Sequence, residues 1–288
     1  MWTRAIGVGE NNALSLHAVE WSRRGFPCIL LHGFGDNASV WSHLAPRIMS
    51  RFRVVALDMR GHGNSDRDPD ANYNSQTFTA DLAKAIAAFG FERTILIGHS
   101  WGAETAIRFA AANPAQIAAL VIVDFGPELD QTGVDEVLKG FIEMPRAYGS
   151  ADEFARWLTA RRPLAEPRLL AQFARYSLRQ AAGLPYEIKI DDALGTHSEL
   201  SRLVAQNGRY YLPGLWAELA RIKCPSLVIR GAMSAVFPTD VAARMVERTL
   251  PVSRLQTIRV AGHAVMLDNP AQFTSSVEAF LSKRLAAA

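Results

Sequence analysis

The chain has 288 residues, a hydrophobic fraction of 49%, a charged fraction of 20% and a formal net charge of only +3. This composition excludes a disordered or fibrous protein, and the small positive excess is no sign of nucleic-acid binding. The sequence contains no apolar run long enough to span a bilayer, and residues 1–20 do not resemble a signal peptide. We therefore expect a cytoplasmic protein with neither a membrane nor a nucleic-acid partner.

Short apolar runs alternate with longer segments of helical periodicity. A looser alternation at 14–21 predicts an antiparallel edge strand. The predicted buried strands, rich in Val, Ile and Leu, are 28–31, 54–57, 94–97, 119–123, 226–229 and 257–260. The predicted helices outside the middle of the chain are 40–49, 77–89, 104–112, 241–250 and 271–285. This alternation predicts an α/β fold with a mostly parallel central sheet and helices on both faces.

The alternation stops between residues 128 and 215, where no strong buried strand is visible. Helical patterns at 134–144, 151–161 and 168–180, and another at 216–222, are separated by prolines. We therefore predict a core formed by 1–127 and 216–288, with a helical cap (128–215) inserted into it.

Arginine is concentrated in one part of the predicted cap. Residues 146–179 hold seven Arg against three acidic residues, a local charge of +4. Solvated helix faces are the simplest explanation. The alternative is that one or two of these arginines bind an anionic group of a substrate, because a guanidinium pairs well with a carboxylate.

The strongest chemical signal is the run Gly98-His99-Ser100-Trp101-Gly102, between a predicted strand and a predicted helix. A nucleophile on a tight strand-to-helix turn needs small neighbours, because the backbone is strained and the helix passes close by. The helix N-terminus also stabilises developing negative charge. Ser100 is therefore the predicted nucleophile.

A second glycine-rich loop, His32-Gly33-Phe34-Gly35, follows the predicted strand 28–31. Acyl transfer requires two N–H donors directed at the oxyanion. We expect these donors to be the backbone N–H groups of Phe34 and of Trp101, the residue after the predicted nucleophile.

His263 follows Gly262 at the end of the last predicted strand. A serine hydroxyl is a poor nucleophile at neutral pH and needs a base. The other histidines fall in turns or in strand, helix and cap patterns, and His263 completes the chain order of nucleophile and then base. His263 is therefore the predicted base.

The segments HGFGDNASVW, LDMRGHGNSD, GHSWGA and VAGH, in this order, resemble the α/β-hydrolase superfamily, in its capped branch of esterases, lactonases and C–C hydrolases. The resemblance covers nearly all of the chain outside the predicted cap and implies an α/β-hydrolase fold. It implies a structural turn, and no catalytic role, for Asp58, Arg60, Gly61 and Gly63. A serine at position 100 argues against the haloalkane dehalogenase and epoxide hydrolase branches, which use a carboxylate there.

The sequence departs from the family pattern at the acid of the catalytic triad. The resemblance places this acid near position 234 or 235, but the chain has Ser234 and Ala235 there, and neither can orient an imidazole. Asp240 begins the next predicted helix, which is typical of an acid that stabilises a helix start.

Asp124 offers a second location for the acid, because it follows the strand 119–123 at its carboxyl end, where catalytic groups collect in such sheets. We predict that Asp124 is the acid. Two alternatives stay open: Asp124 only anchors the entry of the cap, or Ala235 replaces a native Asp and the enzyme is impaired.

Together the motifs predict a serine hydrolase that cleaves an ester, lactone or other activated acyl bond. No cofactor and no metal are expected, because phosphate-binding glycine motifs and zinc-type Cys/His clusters are absent. The expected partner is a small, mostly apolar substrate, with a possible anionic group. Two alternatives remain: a cofactor-free dioxygenase that uses a His–Asp pair, and a ligand-binding protein that has lost the triad acid.

Overall fold

A mostly parallel sheet of eight strands forms the centre of the molecule. The computed structural model describes residues 1–180, 185–197 and 203–285. Its strands are β1 (Trp2–Val8), β2 (Leu14–Glu20), β3 (Phe26–Leu31), β4 (Phe52–Leu57), β5 (Thr94–His99), β6 (Ile117–Val123), β7 (Glu128–Asp130), β8 (Ala147–Tyr148), β9 (Leu178–Gln180), β10 (Tyr186–Ile188), β11 (Ala205–Gln206), β12 (Arg209–Tyr211), β13 (Ser226–Gly231) and β14 (Ser253–Ile258). The central sheet has the order β1-β2-β4-β3-β5-β6-β13-β14, in which β2 is antiparallel to both of its neighbours.

Helices connect these strands and cover the sheet. They are α1 (Ala45–Ile48), α2 (Ser75–Ala88), α3 (Trp101–Ala112), α4 (Gln131–Ile142), α5 (Ala151–Arg161), α6 (Pro167–Ser177), α7 (Leu194–His197), α8 (Leu215–Arg221), α9 (Thr239–Arg244), α10 (Val265–Asp268) and α11 (Pro270–Leu285). Among the described residues, no helix combines the length and the apolar character needed to cross a membrane. The cytoplasmic location stays a prediction.

The predicted fold class is confirmed, and each predicted buried strand overlaps a strand of the central sheet. The edge strand β1 was not predicted, because only Ile6 and Val8 of it are buried and the apolar pattern is correspondingly weak. The prediction of one continuous helix over 40–49 is wrong. The segment is a 3₁₀ turn, Ala38–Trp41, followed by the short helix α1, which has a proline in its first turn.

The strand register brings the carboxyl ends of β3, β5 and β6 to one edge of the sheet. Leu31 of β3 pairs with Gly98 of β5, and His99 of β5 pairs with Val123 of β6. The residues directly after these strands therefore share the carboxyl edge of the sheet, where α/β proteins place their ligands.

The predicted cap contains more than helices. Its described residues include α4 to α7 and also six short strands, which form two three-stranded sheets of their own, β8-β10-β9 and β11-β12-β7. The predicted helix 168–180 is wrong at its end, because α6 stops at Ser177 and the chain continues as β9. Strands of two or three residues are too short to produce a visible alternation. The division into core and cap stays a prediction.

Candidate active site

Ser100 lies on a strained turn between β5 and α3. Its φ is 50° and its ψ is −119°, a conformation that non-glycine residues rarely adopt. A Cβ atom on Gly98 would lie 2.3 Å from the carbonyl oxygen of Gly102, and one on Gly102 would lie 2.3 Å from the carbonyl oxygen of Leu31. Glycine is therefore required at both positions for the turn to close against β3, as the sequence motif implied.

The loop after β3 passes directly beside Ser100. A Cβ atom on Gly33 would lie 3.0 Å from the Cβ atom of Ser100. The Phe34 and Trp101 rings meet edge to face at 4.9 Å. In the described part of the chain, the backbone N–H groups of Phe34 and Trp101 have no hydrogen-bond partner. Both groups are thus available to an oxyanion that forms at Ser100.

Two buried histidines hold this loop in place. The His62 ring donates from Nδ1 to the carbonyl of Arg60 and accepts the N–H of Gly35 at Nε2, at 2.9 and 3.2 Å. The His32 ring accepts the N–H of Met59 at Nε2, at 2.8 Å. Burial lowers the pKa of His62 to about 3, so the neutral ring can donate at one nitrogen and accept at the other.

The Asp124 carboxylate contacts the His263 imidazole across 139 residues of sequence. His263 donates from Nδ1 to Asp124 Oδ2 at 2.8 Å, and this leaves Nε2 for a proton transfer. The Asp124 side chain is fully buried, whereas the His263 side chain is 20% exposed. A buried carboxylate on Nδ1 fixes the tautomer and orientation of the ring and stabilises an imidazolium.

Ser234 and Gly231 also hold that carboxylate. The Ser234 hydroxyl accepts the N–H groups of Val236 and Phe237, both at 3.2 Å, and donates its own proton to Asp124 Oδ2 at 2.5 Å. The Gly231 N–H donates to Asp124 Oδ1 at 2.9 Å. Sequence reasoning considered Ser234 only as a missing acid and overlooked its contact with Asp124.

The other candidate positions for the acid have different surroundings. Asp240 is 55% exposed and pairs with Arg209 at 2.9 Å, at the start of α9. The carbonyl group of Ala235 lies against Gly133, where an added Cβ atom would be 2.0 Å from the Ala235 oxygen. Of the three candidates for the acid, Asp124 is the one whose carboxylate contacts His263.

His99 supports the backbone of His263. Its Nε2 donates to the His263 carbonyl at 2.9 Å, and the two rings lie 4.7 Å apart. Burial, and then the charge that His263 can acquire, lower the pKa of His99 to about 3. His99 is therefore a neutral ring that holds the backbone of the predicted base.

An ion pair joins the predicted cap to the loop after β3. Arg162 donates from Nη2 to Asp36 Oδ1 at 2.9 Å, and the other oxygen of Asp36 lies 3.7 Å from His99 Nδ1. Although burial alone would raise the pKa of the Asp36 carboxyl, the nearby charge of Arg162 and its hydrogen bond lower it below its usual value. Asp36 is thus a buried anion between Arg162 of the predicted cap and His99, which precedes Ser100.

Among the described residues, no group of three or more His, Cys, Asp or Glu side chains is placed to hold a metal ion.

Residues 27–270 match a protein family described as having the alpha/beta hydrolase fold. The chain belongs to the α/β-hydrolase family. It is 26% identical to 2-hydroxy-6-oxononadienedioate/2-hydroxy-6-oxononatrienedioate hydrolase 2 of Pseudomonas putida, over 93% of this chain and 92% of that protein. It is 28% identical to pimeloyl-[acyl-carrier protein] methyl ester esterase of Aeromonas hydrophila, over 92% and 98% of the two chains.

The crystal structure of E-2-(acetamidomethylene)succinate hydrolase superposes on this α/β hydrolase with a TM-score of 0.85, covering 98% of this chain and 99% of that one. The two sequences are 22% identical, so the likeness concerns the fold. The family match, together with these esterase and hydrolase relatives, supports the assignment of this chain as a hydrolase.

Proposed function

We propose that this protein is a serine hydrolase that cleaves an ester, lactone or similarly activated acyl bond through Ser100, His263 and Asp124. The observation that carries the proposal is the 2.8 Å contact between Asp124 and His263, at the sheet edge where the strained turn presents Ser100. The two relatives described above, a dienedioate hydrolase and a methyl ester esterase, support a hydrolytic reaction.

In the proposed reaction, Ser100 Oγ attacks the substrate carbonyl carbon while His263 Nε2 takes the hydroxyl proton. The negative charge that forms on the carbonyl oxygen is stabilised by the N–H groups of Phe34 and Trp101. His263 then gives its proton to the leaving group, and an acyl-enzyme forms. Water, deprotonated by His263, hydrolyses the acyl-enzyme and restores Ser100.

The surroundings of Trp101 suit an apolar substrate. A small and mostly apolar cavity lies beside this residue; its lining is Trp101, Glu104, Phe125, Leu129, Leu203, Leu212 and Pro213. The cavity adjoins both the predicted oxyanion donor and Phe125, the residue after Asp124. Because the cavity has room for about one small group, we propose that it receives a single apolar group of a small-molecule substrate.

Replacement of the nucleophile tests the proposal. We expect Ser100→Ala to lower the turnover of 4-nitrophenyl esters on the order of 10⁴-fold or more, because the residue that forms the acyl-enzyme is lost. Labelling by a fluorophosphonate should also disappear, with little change in melting temperature. Ser275→Ala, which alters an exposed serine, is the matched control.

Full esterase activity in the folded Ser100→Ala variant would reject this mechanism. Oxygen uptake without any ester turnover would favour the dioxygenase alternative, which also uses a His–Asp pair. The ligand-binding alternative depended on a missing acid, and the Asp124–His263 contact argues against it.

A further inference from the structure

The predicted cap contains buried hydrogen-bond donors without acceptors. Among the described residues, the buried side-chain polar atoms that lack a partner include three from the cap: Arg146 Nη1, Tyr148 Oη and Arg162 Nη1. Leaving a buried donor unpaired costs free energy, so each such group in a native protein calls for a partner. A ligand that brings acceptor atoms would satisfy them.

Arg146 and Tyr148 are placed to act together. Tyr148 belongs to β8, and the pairing extends to Arg146, whose carbonyl accepts the N–H of Ile188 at 3.1 Å. Alternate residues of an extended strand project from the same face, so the two side chains share one face of this small sheet. The Tyr148 residue is only 4% exposed. Burial raises its pKa to about 12, so the hydroxyl stays a donor at neutral pH.

A continuous stack of groups links Arg146 to the catalytic loops. The Arg146 guanidinium lies over the Phe141 ring, 4.7 Å from its centroid. The Phe141 ring lies 4.7 Å from the Phe34 ring, and Phe34 supplies the predicted oxyanion donor beside Ser100. Arg146 is therefore connected to the loop beside Ser100 through two aromatic rings, Phe141 and Phe34.

The ion pair of Arg146 with Asp192 uses Nε and leaves Nη1 without a partner among the described residues. Asp192 pairs with Nε at 2.6 Å and is itself 68% exposed, so it occupies the outer side of the guanidinium. Of the other charged groups near Tyr148, Glu153 accepts the N–H of Gly149 and Arg161 pairs with Glu143. No carboxylate of the described residues bonds Arg146 Nη1 or the Tyr148 hydroxyl.

Arg162 is a weaker candidate for the same task. Its guanidinium already pairs with the buried carboxylate of Asp36. Asp268 also lies near enough for the charge of Arg162 to act on the pKa of its carboxyl. A further anion would meet two carboxylates there, so Arg162 is better suited to hold the cap on the core.

We propose that Arg146 and Tyr148 bind a carboxylate at the far end of the substrate's acyl chain. The inference rests on the proposed serine hydrolase function and narrows its substrates to esters whose acyl part is a dicarboxylic acid with one free carboxylate. A carboxylate supplies acceptors to both donors at once, and its bond to arginine is charge-assisted.

Three matched esters test the carboxylate site. The probes are mono-4-nitrophenyl adipate, 4-nitrophenyl hexanoate of the same chain length, and methyl 4-nitrophenyl adipate, in which the charge is masked. We expect the wild type to prefer the free carboxylate, and Arg146→Met to lower the kcat/KM ratio of adipate half-ester to hexanoate by about 10- to 100-fold. Tyr148→Phe should lower the ratio less. Arg156→Met, which removes an exposed cap arginine, should leave the ratio unchanged.

Binding of the free acid provides a readout that does not need catalysis. Adipate should raise the melting temperature of the wild type more than hexanoate does, and Arg146→Met should abolish the difference. If no ester is hydrolysed but this shift is present and depends on Arg146, the hydrolase proposal fails and the carboxylate site stands. If the esters are hydrolysed and Arg146→Met behaves like Arg156→Met in both assays, the carboxylate site is rejected and the hydrolase stands.

Discussion

Ser234 stands where the resemblance implies a carboxylate, and it contacts the carboxylate of Asp124 instead. Its hydroxyl takes two backbone N–H groups, so its own proton has one direction left, toward Asp124. Asp124 is thereby held by a serine from the loop after β13 and by the imidazole from the loop after β14. Loss of an acid at position 234 or 235 is therefore compatible with a complete Ser–His–acid arrangement.

The acid can be tested by exchanging its two possible positions. We expect Asp124→Asn to lower kcat for a 4-nitrophenyl ester by about 10⁴-fold, because an amide favours the wrong tautomer of His263. Ala235→Asp should change kcat little, since Asp124 already holds the ring. Circular dichroism would show that both variants are folded. A large gain in activity from Ala235→Asp, with no loss from Asp124→Asn, would instead identify a hydrolase whose acid has been deleted.

The residues differed in how far the sequence alone could place them. Ser100 lies inside a local motif whose glycines are required by backbone contacts, so the turn was predictable from five residues. Asp124 was predicted as the acid with two alternatives left open, because the contact that distinguishes it comes from His263, 139 residues later. The contact of Ser234 with Asp124 has no signature in the local sequence, because it arises only when β13 pairs with β6 in the folded sheet.

At the level of whole elements, burial on both faces decided what could be predicted. The central strands β3, β5 and β6 are continuous apolar runs and were predicted within a few residues. The edge strand β1 and the two- and three-residue strands of the cap bury too little to leave a pattern. The cap sheet that carries Arg146 and Tyr148 was therefore invisible in the sequence.

The contact between the cap and the loop after β3 can be tested through Arg162. We expect Arg162→Met to lower the free energy of unfolding by about 1–3 kcal/mol, a value reduced from that of a fully buried pair because Arg162 is partly exposed. The loss arises because the Asp36 carboxylate stays buried without its partner. Urea denaturation measures it.

Two further variants make the Arg162 test specific. The double variant Arg162→Met/Asp36→Asn should recover part of the stability, since the unpaired buried charge is removed. Arg161→Met alters the neighbouring residue, whose pair with Glu143 is exposed on both sides, and should have little effect. If Arg162→Met were as stable as the wild type, the Arg162–Asp36 ion pair would not stabilise the contact between the cap and the core.

On the scale of the whole molecule, buried neutral histidines make stability depend on pH. Burial lowers the pKa of His32, and it lowers those of His62 and His99 to about 3. Below pH 6.5 the unfolded chain binds protons at these positions and the folded chain does not, so the free energy of unfolding falls as the pH falls. Each histidine contributes about 1.4 kcal/mol per pH unit once its unfolded form is protonated.

We therefore expect the melting temperature to drop steadily between pH 7 and pH 5, above the range in which carboxylates dominate. The lower limit matters because buried carboxyls titrate below it: the raised pKa values of Asp81 and Asp268 favour the folded state on further acidification, whereas the lowered pKa values of Asp36 and Asp58 disfavour it. His62→Gln should reduce the slope by about one histidine's contribution, because glutamine offers Gly35 an acceptor but takes up no proton. Comparison of both proteins at pH 7.5, where imidazoles are neutral in either state, separates this effect from a change in packing. A stability that stayed constant from pH 7 to pH 5, or a slope that His62→Gln left unchanged, would show that these rings accept protons in the folded protein.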